Sequence, residues 1–157
     1  MTFDYAHLLP IAPEIAVLVL ASILLLVDLW LKDEDKGTNH LIAVFGLLVV
    51  IGLTGVVGGG EREIVLSGSY IRDPMSDVLK IAVLVVSLLS FVYSRDYLRD
   101  RGLWVGEFYV LTLCAVLGMM VMISANSFLT LYLGLELLAL SLYALGAFER
   151  DNPSGAE

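Results

Sequence analysis

Five membrane-spanning helices in an all-α membrane protein are what this sequence predicts, on three observations. Hydrophobic residues fill 59% of the 157 positions, and mean hydropathy is +0.88. A water-soluble domain of this size needs a far more polar surface. The apolar residues gather in five runs, at about 11–31, 41–57, 75–94, 107–123 and 128–147. Each approaches the twenty or so residues that cross a hydrocarbon core of roughly 30 Å. The charges making up the net −8 fall mostly between these runs or at the ends.

The first run has Pro13 in its opening turn, where a missing N–H is harmless. Glu14 and Asp28 lie near its two ends, and Trp30 closes it, an aromatic suited to the membrane interface. The N-terminal MTFDYAHLLP carries no basic region, and the run behind it is too long for a cleaved signal, so a retained anchor is expected. A charged loop at 32–40 leads to the second run, which stops at Gly58-Gly59-Gly60, residues that propagate a helix poorly. Next, Ile64-Val65-Leu66 and Ser69-Tyr70-Ile71 flank Ser67-Gly68, which predicts a small β-hairpin at about 64–71. An open sheet edge cannot be satisfied in lipid, so the hairpin belongs outside the membrane core. Asp73-Pro74 starts the third run, with Asp73 as N-cap. A basic loop at 95–106 carries Trp104, Glu107 opens the fourth run, and Ser124-Ala125-Asn126-Ser127 turns tightly into the fifth.

Orientation follows from the basic residues in the connections. With the N-terminus outside, the inner side holds Lys32, Lys36, Arg95, Arg99, Arg101 and Arg150, against Arg62 and Arg72 outside. This asymmetry places the hairpin on the outer side and the C-terminus within. The few scattered Lys and Arg give no footprint for nucleic acid. Cys114 stands alone in an apolar run, which excludes a disulfide within the chain. His7 and His40 occupy terminal or loop positions without acidic or Cys partners at ligand spacing, so no metal site is expected. The triple glycine neither opens a helix nor precedes a basic residue at phosphate-loop spacing. No cofactor is therefore expected on this chain, and redox chemistry has to reside elsewhere.

Glu136 is the principal candidate for chemistry. It sits about 12 Å into the last run, where a carboxylate costs roughly 3 kcal/mol or more to insert and marks function by default. Tyr132, Glu136, Ala139 and Tyr143 share one helix face, polar or small, which is expected to turn towards other helices while leucines meet lipid. Burial disfavours the charged form of such an acid and a nearby lysine favours it, so a group between the two can load and release a proton. The plainer alternative is an acid held neutral by Tyr132, Tyr143 or a neighbouring helix. Lys80 is a possible supporting residue, expected to extend its charge towards the interface, with pairing to a bundle carboxylate as the alternative. Glu14 and Asp28 are expected to be solvated or interfacial. Glu107 suits the positive end of a helix dipole.

The segment EFYVLTLCAVLGMMVMISANSFLTLYLGLELLALSLYAL, from Glu107 to Leu145, resembles the antiporter-like subunit N of bacterial respiratory NADH–quinone oxidoreductase (complex I). EFY at a helix start, the Ala-Asn turn and LGLELLALSLYAL around the glutamate carry the likeness. LLPIAPE in the first helix and the hairpin leading to YIRDPMS agree in layout. The resemblance implies a fourteen-helix membrane-arm subunit built on two inverted repeats, in the inner membrane of a bacterium; with the asymmetry of basic residues, these five spans are then expected to have their N-terminus periplasmic and their C-terminus cytoplasmic. Its partners would be other membrane-arm subunits and the lipid bilayer. It also implies a fifth-helix glutamate, matched by Glu136, that pairs with a lysine on a seventh helix. NADH, flavin, iron–sulfur clusters and quinone would bind elsewhere in the complex. Residues 1–157 are then expected to form one transmembrane domain, the N-terminal part of a larger subunit, with no catalytic activity alone. Two other readings are the equivalent subunit of a cation/proton antiporter or membrane-bound hydrogenase, and a truncated scaffold in which Glu136 only fixes helix packing.

Overall fold

The computed structural model describes residues 9–30, 37–100 and 106–147. Along them run α1 (Ala12–Trp30), α2 (Gly37–Val57), β1 (Glu63–Val65), β2 (Tyr70–Arg72), α3 (Pro74–Asp100), α4 (Gly106–Ile123) and α5 (Phe128–Ala147). All five helices are long and apolar enough to cross a membrane, and the two strands pair antiparallel, as expected from the sequence. Two boundaries differ. α2 begins at Gly37 and takes in His40, and α3 runs on to Asp100 and takes in Arg95 and Arg99. Neither extension contains a proline or an internal glycine, so nothing local stops the helix at the edge of its apolar run. His7, Lys32, Lys36, Arg101, Trp104 and Arg150 lie outside the described residues.

Each of the first four helices buries a stripe spaced by threes and fours. The stripes are Glu14, Val17, Ala21 and Leu24 on α1, and Ala43, Leu47, Val50 and Thr54 on α2. They continue as Lys80, Leu84, Ser87 and Phe91 on α3, and Tyr109, Leu113, Val116 and Met120 on α4. The 3.6-residue period sets those intervals. α1 to α4 form one bundle, with α4 against α1, α2 and α3 and α5 packed on α4. At its heart the Phe91 ring meets those of Tyr109 and Phe108, with centroids 5.1 and 6.4 Å apart, inside the favourable aromatic range. Leu29, Phe45, Val86 and Leu133 are among many large apolar residues left outside. An apolar exterior on that scale is foreign to a soluble monomer and suits acyl chains.

Turn chemistry shapes the hairpin end. Ser67 (φ 55°, ψ 33°) and Gly68 (φ 90°) both take left-handed backbone, and the Ser69 N–H donates to the Leu66 carbonyl at 3.1 Å. This is the primed turn whose twist matches that of paired strands. Val65 faces Tyr70 across the hairpin. The outer edge of β2 is not left open, because Ile71 N–H donates to Ser124 O and Asn126 N–H donates to Ser69 O, at 2.9 and 3.0 Å. The α4–α5 turn thus satisfies an edge that would otherwise be a liability. Asp73 caps α3 as expected: its Oδ1 accepts from Ser76 N–H at 2.6 Å, and Ser76 Oγ accepts from Asp73 N–H at 3.0 Å, a reciprocal box. Ser127 Oγ accepts from Thr130 N–H at 3.1 Å and starts α5 in the same way.

Candidate functional site

Gly134 and Ser141 are the buried residues of α5, and they mark its seam against α4. A Cβ on Gly118 would stand 2.8 Å from Gly134 O, and one on Gly134 would stand 2.9 Å from Gly118 O. Only glycine at both positions lets the helices touch backbone to backbone. Stepping 100° per residue from that seam puts Tyr132, Glu136 and Tyr143 on the far side of α5. Tyr132 and Tyr143 are exposed and Glu136 is half-buried. The shared face exists, but it looks away from α1–α4 instead of into them. Among the described residues Glu136 forms no ion pair, and Lys80 is not brought to it.

Lys80 is instead sealed inside the bundle, where it replaces the expected reach towards the interface with an ion pair. The side chains of Lys80 and Glu14 are 1% and 5% exposed, with Lys80 Nζ 2.7 Å from Glu14 Oε1. The expectation of a solvated Glu14 fails for the same reason. Both residues lie on the buried stripes, Glu14 in register with Val17 and Lys80 with Leu84. Tyr70 closes the cluster from the hairpin. Lys80 Nζ donates to its hydroxyl at 2.8 Å, and that hydroxyl has two acceptors in reach, Glu14 Oε1 at 2.8 Å and the Pro10 carbonyl at 3.1 Å. Lys80 also lies 5.1 Å from the centroid of the Tyr70 ring, within cation–π range. Burial, then the Glu14 charge, pushes the Tyr70 phenol far above its ordinary value, so Tyr70 serves as a neutral hydroxyl. Glu14 Oε2 and Ser124 Oγ are buried and find no hydrogen-bond partner among the described residues.

Three smaller polar clusters tie the helix ends together. Arg72 donates to the Val57 carbonyl and pairs with Asp77 at 3.6 Å. Asp77 also accepts from the N–H of Gly59 at 3.1 Å, whose φ of 83° allows the backbone to turn there. His40, a helical and buried residue instead of a loop one, pairs its Nδ1 with Tyr109 Oη at 3.1 Å. Asp28 is half-buried and not merely solvated. It accepts from Asn39 Nδ2 at 2.6 Å and lies against Gly106 at the start of α4, where a carboxylate suits the helix dipole.

Sequence reasoning held the pairing of Lys80 with a bundle carboxylate only as an alternative and did not assemble the Glu14–Tyr70–Lys80 cluster, although half of its signal was present. Projecting the first and third runs as helices places each charge on the same stripe as the core residues. Tyr70 could not be found that way, because only the fold of the hairpin brings it over the bundle.

A bundle of apolar helices enclosing an ion pair, with a lipid-compatible exterior, defines a multi-pass membrane protein. No protein-family model matches the chain. It is 48% identical over 145 residues to NADH-quinone oxidoreductase subunit N of Alkalilimnicola ehrlichii, an overlap of 92% of this chain and 30% of that protein. It is 44% identical over 157 residues to the subunit N of Thioalkalivibrio sulfidiphilus and 46% identical over 157 to that of Thiobacillus denitrificans. Those overlaps take in 100% of this chain and 33% and 32% of the respective proteins. The chain is thus similar over its whole length to the subunit N family of NADH-quinone oxidoreductases, and it spans about a third of the length of the relatives it matches.

Proposed function

We propose that the chain serves in the membrane arm of a proton-translocating NADH–quinone oxidoreductase, where Glu136 supplies a proton-binding carboxylate to the path coupled to quinone reduction. The observation that carries this reading is an ionisable side chain midway along a spanning helix, on a face that α1–α4 leave uncovered. A carboxylate within the hydrocarbon slab needs a partner to hold its charge, and that face is where one supplied by other helices would dock. Tyr132 and Tyr143 flank it and would steady its protonated and ionised forms in turn. The partners are other membrane-arm subunits and lipid. NADH, flavin, iron–sulfur clusters and quinone are bound elsewhere in the complex. The membrane is the bacterial inner membrane, with the hairpin in the periplasm and the end of α5 towards the cytoplasm, as the basic residues demand.

Glu136→Gln tests the assignment in the assembled enzyme. The amide keeps the shape and cannot carry the charge. Proton yield per electron should fall while the amount of assembled complex stays the same. Undiminished yield removes Glu136 from the path, and lost assembly assigns it to helix packing.

A further inference from the structure

The Glu14–Tyr70–Lys80 cluster draws its side chains from α1, β2 and α3 and none from α5, and the Glu136 path makes no use of it. We propose that it is a second proton-loading site, at the hairpin end, in which Glu14 takes up a proton at Oε2 from a hydronium passed to it through a buried water. The inference rests on the proton-translocating reading above and extends it to a different carboxylate.

Three observations carry it. Withdrawing both charges from water costs several kcal/mol per ion, and an ion pair repays this only when the remaining lone pairs are also satisfied. Here Oε1 is satisfied twice over, by Lys80 and Tyr70, while Oε2 is buried without a partner among the described residues. Ser124 Oγ, equally buried and without a hydrogen-bond partner among the described residues, belongs to the turn whose carbonyl holds Ile71, the residue next to Tyr70, so two such atoms lie at the hairpin end. A buried water typically bridges just such groups. Finally, Tyr70 has two alternative acceptors, and its hydroxyl can follow the state of Glu14. With Glu14 ionised it donates to Oε1, and with Glu14 protonated it turns to the Pro10 carbonyl.

The loading step balances. An O–H bond of a hydronium breaks, an O–H bond forms at Oε2, and the water is left behind. The carboxylate becomes neutral and Lys80 keeps its three protons and its charge. The groups facing Glu14 are Lys80 of α3, Tyr70 of β2 and the Pro10 carbonyl. Asp77, whose charge also acts on the Tyr70 phenol, is itself paired with Arg72 of β2.

The test compares Glu14→Gln, Lys80→Met, the double variant and Glu136→Gln in the assembled enzyme, reading complex abundance and proton yield per electron. Glu14→Gln should lose as much proton yield per assembled complex as Glu136→Gln, and the double variant, which removes the stranded charge, should assemble without recovering that yield. Infrared difference spectra of the wild-type enzyme should show a protonated-carboxyl band on acidification that Glu14→Gln removes. Full yield from Glu14→Gln overturns the site. So does a double variant that restores both assembly and yield, because the pair is then only a clamp. Loss of yield in Glu14→Gln with none in Glu136→Gln would sustain this site and remove the role given to Glu136.

Discussion

A lysine with no solvent contact survives in an apolar bundle only because a carboxylate and a hydroxyl stand within 2.8 Å of its nitrogen. Removing one member leaves the other charge buried and unmatched, at a cost of about 3–5 kcal/mol. Lys80→Met alone should therefore lower stability by about that much, whereas Glu14→Gln with Lys80→Met should lose far less; detergent-titrated unfolding of both separates them. Tyr70 adds a dependence on alkali. Its folded phenol holds its proton well above the ordinary value near 10, so the native state binds a proton that the unfolded chain releases as pH rises past that value. Stability should be fully present below about pH 10 and decline above it. Tyr70→Phe should flatten the decline in unfolding curves measured across that range.

At the level of elements, α5 depends on α4 for its place. Gly134→Leu would drive a side chain into Met122 and the Gly118 carbonyl, forcing the two helices apart without touching the α1–α4 core. Hydrogen exchange should then rise in α5 and stay slow in α1 to α4; protection that falls equally in all five helices would show that α5 is integral to one cooperative unit. The start of α3 is held locally. Asp73→Ala removes half of the capping box and should cost about 1 kcal/mol, measurable by the same detergent titration. The hairpin is pinned from two sides, by Tyr70 reaching the ion pair and by Ser124 and Asn126 holding its edge. That explains how a two-stranded ribbon, marginal alone, keeps one register.

For the whole molecule, the outward apolar surface and the asymmetry of basic residues make one topological claim. Ser67 sits at the exposed tip of the hairpin. In a Cys114→Ser background, Ser67→Cys should react with a membrane-impermeant maleimide added to intact cells. Labelling only after lysis would invert the topology and move the Glu14 cluster to the inner side.

Composition and the apolar period were enough to determine the five spans, the hairpin with its Ser67-Gly68 turn and the cap at Asp73, because each follows from local chemistry within one turn or one strand. The same period contained the burial of Glu14 and Lys80, as members of the stripes that end in Leu24 and Phe91. It could not say that the two charges meet. That was decided by the tertiary structure, because a helical wheel reports which way a side chain faces and not which helix stands opposite. The direction of Glu136 was settled the same way: its face is legible in the spacing of Tyr132 and Tyr143, but the choice of seam belongs to Gly118 and Gly134, where two backbones come close enough to exclude any Cβ.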